Sequence, residues 1–194
     1  MRIGVTGGIG SGKSFVCHLL ERLLDVPLYD CDREAKRLMY VSPELRRQLQ
    51  ALVGAEVYDA DGHLDKAVMS RYLFADAHHT ASVNAIVHPA VKADFLAWAE
   101  RQATDVLMES AILVEAGLRD IVDCLVVVEA PLELRIERAM RRDAASRQQV
   151  EARIRQQMSA EELRKYADFI VVNDGRDLLQ QLEPIVNRTL STIH

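Results

Sequence analysis

The feature that most constrains this chain is a glycine-rich stretch close to its N-terminus. The sequence Gly7-Gly8-Ile9-Gly10-Ser11-Gly12-Lys13-Ser14 follows the pattern G-x-x-x-x-G-K-[ST] in full. A short apolar strand precedes it at residues 2–6, and residues 13–24 follow with apolar side chains at helical spacing. Glycines let successive backbone N–H groups curl around a phosphate, and the new helix directs its positive end at the same anion. The pattern therefore predicts a site for a nucleoside triphosphate.

Individual residues of this loop have distinct expected roles. We expect Lys13 to reach the β- and γ-phosphates and the Ser14 hydroxyl to bind Mg²⁺. The residues expected to bind the nucleotide are Gly8, Ile9, Gly10, Ser11, Gly12, Lys13, Ser14 and Phe15. The alternative is a turn that only links a strand to a helix, but such a turn does not need four glycines, a lysine and a hydroxyl at fixed offsets.

Apolar runs and helical patterns alternate along the 194 residues. The runs predict strands at residues 2–6, 26–29, 105–108, 123–128 and 169–172. Strands separated by helices predict an α/β fold with three layers and about five parallel strands, whose carboxyl ends carry the ligand sites. Between them, residues 33–102 form a mainly helical block, in which Asp65 is expected to cap one helix and Pro89 to open another.

Composition excludes several classes of protein. The formal net charge of −5 argues against a nucleic-acid partner, because phosphate backbones select for basic surfaces. No apolar run approaches the roughly 20 residues needed to span a bilayer, so no membrane partner is expected. Cys17, Cys31 and Cys124 follow no metal-ligand pattern, which indicates reduced thiols in a cytoplasmic protein. The sequence is compatible with a monomer or a homo-oligomer.

The phosphate loop alone does not choose a reaction. A GTPase is expected to carry Asn-Lys-x-Asp, and the nearest stretch, Asn173-Asp174-Gly175, lacks the lysine. A motor ATPase normally needs a clear apolar strand that ends in an acid, and Met108-Glu109 is a weak candidate for one. The Glu109 carboxylate either helps to hold Mg²⁺ through water or caps the following turn.

Two aspartates after the second predicted strand favour a kinase. Asp30 and Asp32 would lie at the carboxyl end of this strand, close to the γ-phosphate. A carboxylate there can accept the proton of an attacking hydroxyl, a role that we assign to Asp32, with Asp30 acting through metal or water. The alternative is that either aspartate caps the helix that follows from Arg33.

A local excess of positive charge predicts a lid. Residues 135–165 contain nine basic and five acidic residues in a chain that is acidic as a whole. Arg135, Arg138 and Arg142 fall at i, i+3 and i+7 and can share one helix face. Such a face could close over a triphosphate and neutralise charge in the transition state, and Arg138 and Arg142 are the candidates for catalysis. The alternative is a solvated helix that is held by pairs such as Glu151–Arg155.

At this point the sequence resembles the dephospho-coenzyme A kinase family over nearly its whole length. The resemblance is carried by Thr6–Ser14, Asp30-Cys31-Asp32, His88-Pro89, Leu113-Val114-Glu115 and Arg138–Asp143, together with Arg147 and Asn173-x-Gly175. It implies ATP- and Mg²⁺-dependent phosphorylation of the ribose 3′-hydroxyl of dephospho-coenzyme A, with Asp32 as the base. It also implies that His88 lies near the acceptor and that Asn173 lies near the adenine of ATP.

The resemblance also implies a division of one P-loop kinase domain, residues 1–194, into three parts. Residues 1–31, 103–140 and 166–194 would form the nucleotide-binding core, residues 32–102 a helical acceptor-binding insertion, and residues 141–165 the lid. The sequence departs from the family at Phe15, Cys31 and Ser110-Ala111-Ile112, and none of these changes removes a catalytic residue. Another metabolite kinase and a non-catalytic ATP sensor stay open as alternatives, because the residues alone do not define the acceptor pocket.

Overall fold

The structure is a computed structural model that describes residues 1–191. Its strands are β1 (Arg2–Thr6), β2 (Leu28–Asp30), β3 (Val106–Glu109), β4 (Cys124–Glu129) and β5 (Phe169–Val172). They form one sheet in the order β2-β3-β1-β4-β5, and every neighbouring pair is parallel. The predicted α/β class with five parallel strands is therefore confirmed. All the carboxyl ends meet at one edge of this sheet, where ligands of open α/β folds bind.

Helices connect the strands and account for most of the remaining chain. They are α1 (Lys13–Leu24), α2 (Cys31–Val41), α3 (Pro43–Val53), α4 (Lys66–Leu73), α5 (Ala77–Glu100), α6 (Leu132–Asp143), α7 (Arg147–Arg155), α8 (Ala160–Arg164) and α9 (Leu178–Leu190). Among the helices of residues 1–191, none has the length and apolar character that a membrane crossing requires. Four of these helices, α2 to α5, lie between β2 and β3 in the chain, in the block that the sequence predicts to be helical.

The chain divides into two compact units, of which the first contains the sheet. This unit combines residues 1–30 with the chain from residue 99 onward. Its core joins alternate residues of the central strands, such as Ile3 and Val126, to α1 and α9 through Leu20 and Leu182. All four of these side chains are fully buried. Burial of the central strands explains why β4 reads as an uninterrupted apolar run in the sequence.

Three of the five strands differ from their predicted bounds, each of them at both ends. The second strand begins at Leu28 and not at Val26, because Pro27 has no N–H to donate to a ladder. The Pro27 carbonyl still accepts a bond from the Leu107 N–H at 2.9 Å. The third and fourth strands begin and end one residue later than predicted, so that Glu109 belongs to β3 and lies opposite Asp30 of β2. The sheet register therefore brings two carboxylates side by side at its ligand-binding edge.

The second unit, residues 31–98, consists of helices, and the stretch between α3 and α4 contains a 3-10 turn and an isolated bridge between Tyr58 and Leu64. Asp65 caps α4 as predicted, since its carboxylate accepts bonds from the N–H groups of Ala67 and Val68 at 2.8 and 3.0 Å. The prediction for Pro89 is wrong, because Pro89 lies inside α5 and does not start a helix. An interior proline removes one helical hydrogen bond, but the apolar stripe that includes Val83 and Phe95 is buried on both sides of it.

Candidate active site

The glycine-rich loop has a backbone that only glycine adopts without strain at its critical positions. Gly12 is the cap of α1 and has a φ of 87°, and Gly10 has a φ of 76°. A Cβ atom on Gly12 would lie 2.1 Å from Nδ2 of Asn173, and one on Gly10 would lie 2.1 Å from the carbonyl oxygen of Arg135. These glycines therefore permit both the turn of the loop and the close approach of neighbouring elements.

A cavity of about 250 Å³ and another of about 210 Å³ adjoin this loop. The smaller one brings together the residues that the sequence proposes for the phosphates. Its lining consists of Gly10, Gly12, Lys13, Ser14, Arg138, Ala139 and Arg142. Two arginines of α6 thus face the lysine and the hydroxyl of the phosphate loop across one space. A polyphosphate in this space would meet three cations and the N-terminus of α1, which is a strong combination for an anion.

Asn173 joins the phosphate loop to the end of the sheet. This residue directly follows β5, and its Nδ2 donates to the carbonyl of Ser11 at 3.0 Å. Its own carbonyl accepts a bond from Nη1 of Arg138 at 3.1 Å, and its N–H donates to the carbonyl of Glu129 at 2.8 Å. With 9% of its surface exposed, Asn173 is buried and braces the loop against β4, β5 and α6.

Oxygen donors gather beside Ser14 at the ends of β2 and β3. The Ser14 hydroxyl donates to Oε1 of Glu109 at 2.5 Å, and Glu109 is paired in the sheet with Asp30. Glu109 is 8% exposed, so its carboxylate is held in a buried setting. The Cys17 thiol is nearby, and its pKa is raised well above the usual value, first by burial and then by the negative charge of Glu109. A hydroxyl and two carboxylates are hard oxygen ligands, and this set fits Mg²⁺.

The peptide groups of Ile9 are held by Arg135, a member of the predicted arginine face, and by Gln157, to which sequence reasoning assigned no role. The Ile9 N–H donates to Oε1 of Gln157 at 2.8 Å, and the Ile9 carbonyl accepts a bond from Nε of Arg135 at 3.0 Å. Arg135 is half-buried, and this burial lowers the pKa of its guanidinium. The sequence indicated Arg135 as a candidate, because it places Arg135 on the same helix face as Arg138. A glutamine in a polar helical stretch gives no comparable signal, so Gln157 could not have been identified.

The arginine-rich segment, residues 141–165, forms several ion pairs. Arg147 binds Glu133 with two bonds of 2.9 and 2.8 Å and Glu151 with one of 2.7 Å. Arg164 binds the Glu129 carboxylate with bonds of 2.7 and 2.6 Å, which fixes α8 to the end of β4. Only the pair of Arg147 with Glu151 lies within one helix, as in the alternative of a solvated helix, and there Glu151 is paired with Arg147, where that alternative named Arg155. The bonds to Glu133 and Glu129 join different elements. Arg138 and Arg142 differ from Arg147 and Arg164, because they line the smaller cavity beside Lys13 and Ser14, the phosphate-side cavity.

Asp143 also takes part in this network. Its carboxylate accepts bonds from Arg142 at 2.8 Å and from Arg153 at 3.0 Å, and the bond from Arg142 is the main cause of its lowered pKa. Asp143 therefore stays ionised and holds Arg142 at the end of α6, next to the cavity. Phe15 follows Ser14 in α1 and is 57% exposed, so its side chain adds nothing to the core.

The remaining two predicted residues belong to the second unit. Asp32 is exposed and is the second residue of α2, which begins two residues earlier than predicted. It therefore lies within the first turn of the helix and not at the capping position before it. His88 is half-buried inside α5, and burial lowers its pKa. The same unit pairs α2 with α5, since Arg37 binds Glu34 and also Asp94, the latter at 2.7 Å.

Comparisons with known proteins agree on one family. A sequence model of the dephospho-CoA kinase family matches residues 1–178. A dephospho-CoA kinase of Bacteroides fragilis is 48% identical over 197 residues, covering 100% of this chain and 95% of its own length. A dephospho-CoA kinase of Porphyromonas gingivalis is 38% identical and covers 98% of this chain and 93% of its own.

Solved structures give the same result at the level of the fold. A crystal structure of a Thermus thermophilus protein has a TM-score of 0.81 with 33% identity, covering 100% of this chain and 98% of its own. The dephospho-CoA kinase of Campylobacter jejuni has a TM-score of 0.69 with 22% identity and covers 98% of both chains. A shikimate kinase of Acinetobacter baumannii, at 0.58 and 16% identity, covers 98% of this chain and 93% of its own. The fold is therefore that of the small P-loop kinases.

Proposed function

This chain belongs to the dephospho-CoA kinase family, and we propose that Asp32 and the cavity beside the phosphate loop carry out its reaction. That reaction moves the γ-phosphoryl group of ATP to dephospho-CoA, the final step of coenzyme A synthesis. The observation that supports the assignment best is the cavity in which Lys13 and Ser14 face Arg138 and Arg142. Phosphoryl transfer depends mainly on positioning and on stabilising charge, which is what this set of groups can supply.

Asp32 is the proposed base. Its carboxylate would accept the proton of the ribose 3′-hydroxyl while that oxygen forms a bond to the γ-phosphorus. The bond between this phosphorus and the β,γ-bridging oxygen then breaks, and ADP leaves with the electron pair. Exposure of Asp32 in the first turn of α2 supports the role, because a substrate can reach the carboxylate. His88, in the same unit, is proposed to contact the acceptor.

The cations of the cavity have a separate role. Lys13 would bind the β- and γ-phosphates, while Arg138 and Arg142 would stabilise the charge that spreads over the γ-phosphoryl group during transfer. The backbone of Gly8–Phe15 would bind the rest of the triphosphate. Asn173 is proposed to contact the adenine, and its bonds to Ser11 and Arg138 support this, because they tie its backbone to the nucleotide site.

Ser14 and Asp30 are the proposed ligands of Mg²⁺, with Glu109 beside them. Because the Ser14 hydroxyl donates a hydrogen bond to Glu109, its lone pairs are left to face a cation. When bound, Mg²⁺ would neutralise part of the charge of the triphosphate. Glu109 would orient Ser14 and add negative charge to the site.

Two further assignments complete the proposal. Residues 141–165 are proposed to be a lid over the triphosphate, supported by the contacts of α6 and Gln157 with the phosphate loop. A cytoplasmic location is proposed because Cys17, Cys31 and Cys124 are all buried and form no disulfide within the described chain.

A single assay tests the function. The protein is incubated with ATP and Mg²⁺ and with one acceptor, either dephospho-CoA, a nucleoside monophosphate or shikimate. The mass of each acceptor is then measured by mass spectrometry. We expect a mass gain of one phosphoryl group on dephospho-CoA and none on the others. A gain on another acceptor, with dephospho-CoA unchanged, would contradict the assignment of the acceptor. Hydrolysis of ATP without a mass gain on any acceptor would contradict the proposed phosphoryl transfer.

A further inference from the structure

Ile9 is the point at which the phosphate loop is held by the chain that follows β4. Its N–H donates to Gln157 and its carbonyl accepts from Arg135, so both of its peptide groups are fixed by side chains. The Ile9 side chain packs against a buried cluster of α6 and α7 that contains Ile136 and Val150. One residue of the loop therefore has polar and apolar contacts with the proposed lid and with the helix that leads into it.

Gln157 is itself held in place by the elements around it. It lies two residues after the end of α7, where its N–H donates to the Ile154 carbonyl at 3.2 Å. The N–H of the next residue, Met158, donates to the Glu115 carboxylate at 3.0 Å. On its other side, Nε2 of Gln157 reaches the Ala111 carbonyl at 3.5 Å. The carboxamide thus connects the phosphate loop with the turn that follows β3.

The contact does not block the phosphates. The phosphate-side cavity is lined by Gly10, Gly12, Lys13 and Ser14 of the loop, whereas Ile9 is not among the described residues that line it. Gln157 also binds the Ile9 N–H without a negative charge, so it holds this amide with no repulsion of a nearby triphosphate. These two observations favour a residue that shapes the loop over one that competes with the nucleotide.

We propose that Gln157 is a positioning residue that couples the proposed lid to the phosphate loop through the Ile9 N–H. It fixes the orientation of the Ile9–Gly10 part of the loop, next to the amides that face the phosphates, and so aligns the γ-phosphoryl group with its acceptor. The proposal rests on the proposed function, because it assigns Gln157 a part in the same transfer. Small misplacements of reacting groups lower rates far more than they lower affinity.

The test is the Gln157→Met variant, with Gln156→Met as its matched control. Methionine keeps the length and volume of the side chain but cannot accept the bond from Ile9. We expect kcat with dephospho-CoA to fall by at least about tenfold, while KM for ATP changes by less than about threefold. Gln156 is exposed and adjacent, so Gln156→Met should keep the wild-type kcat. The melting temperature of both variants should match that of the wild type.

Hydrogen–deuterium exchange gives a measurement that does not depend on any acceptor. In Gln157→Met, exchange should be faster in the peptide that contains Ile9. In the wild type, a non-hydrolysable ATP analogue should slow exchange in the segment 153–160, and in the variant this effect should be lost. Both results follow only if the bond links the loop to the segment.

Three outcomes would overturn the proposal. An unchanged kcat with unchanged exchange would mean that the contact has no role in transfer. Tighter binding of ATP by Gln157→Met would mean that Gln157 competes with the nucleotide. A parallel loss of kcat, ATP affinity and melting temperature would mean that Gln157 only stabilises the fold. If the wild type failed to phosphorylate dephospho-CoA but the exchange results held, the proposed function would fail and the coupling would stand.

Discussion

Asp32 is the side chain on which the proposed chemistry depends most. The sequence left two interpretations open, a catalytic base or a helix cap, and the first turn of α2 changes their balance. Asp32 is inside the helix and exposed, so it is not the capping residue that the second interpretation requires. A negative charge in the first turn still interacts favourably with the helix dipole, and this effect alone would account for an aspartate at this position. Only a kinetic measurement separates the two roles.

The Asp32→Asn variant is expected to lose transfer while still binding ATP. Because asparagine cannot accept the hydroxyl proton, kcat should fall by at least about 100-fold, with little change in KM for ATP. Steady-state kinetics with dephospho-CoA measure both constants. Asp61→Asn, at an exposed carboxylate in a turn of the same unit, is the matched control and should keep the wild-type kcat. A normal kcat for Asp32→Asn would return Asp32 to a helix-stabilising role.

Glu109 is expected to affect the metal more than the nucleotide. In Glu109→Gln the bond that orients the Ser14 hydroxyl loses its charged acceptor, and the negative charge next to Asp30 disappears. The Mg²⁺ concentration for half-maximal activity should therefore rise by about 10- to 100-fold. A Mg²⁺ titration at fixed ATP measures it, with the exposed Glu183→Gln as control. An unchanged titration would leave Glu109 as a structural partner of Ser14 only.

At the scale of elements, the junction of β1, the phosphate loop and α1 was predicted with correct boundaries. The pattern of glycines, lysine and serine defines a loop that ends where the helix must begin, so the sequence determines both. The helix cap at Asp65 could also be predicted from the sequence, because capping is a local interaction of adjacent residues. Pro89 was misread, since burial of the α5 stripe outweighs the local preference of proline for a first turn.

Gly12→Ala tests the fit between this junction and β5. An alanine at this left-handed position would bring its Cβ to 2.1 Å from Nδ2 of Asn173 and would displace the Asn173 side chain. Displacement of Asn173 would release its bonds to Ser11 and Arg138, and with the loop held less firmly the ATP affinity should fall by about tenfold or more. Calorimetric titration of ATP measures it. Gly117→Ala is a matched control, because Gly117 has a φ of 67°, but the added Cβ would have no atom of residues 1–191 within 4 Å beyond its chain neighbours, and the variant should bind ATP normally.

At the scale of the whole molecule, the strand order explains how distant parts of the chain form one nucleotide site. With β1 in the centre, the ends of β2 and β3 bring Asp30 and Glu109 to one side of the loop. The ends of β4 and β5 bring α6 and Asn173 to the other side. The carboxylates proposed for the metal and the arginines proposed for the phosphates therefore lie on opposite sides of the phosphate loop.

The stability of the whole chain should depend on pH through His88. Burial lowers the pKa of this histidine from its ordinary value of 6.5, so the unfolded chain takes up a proton at a higher pH than the folded chain. The unfolded state then binds more protons, and the free energy of unfolding falls as the pH drops below about 6.5. In His88→Gln this contribution is absent, and the dependence should be flatter.

Urea unfolding at several values between about pH 7 and about pH 5 checks this slope, which spans the ordinary range of histidine. An identical slope in His88→Gln and the wild type would mean that His88 titrates at the same pH in both states.

The sequence by itself determined the phosphate loop, the α/β class, the helical block and the family, because each depends on residues that are adjacent or repeat at a fixed period. Tertiary structure alone decided that Glu109 pairs with Ser14 and that Asn173 supports Ser11. It also decided that Gln157 holds Ile9, across 148 positions of the chain. Such contacts are set by strand order and helix packing. These bring residues together that are distant in the chain, and the local sequence around either residue does not indicate the contact.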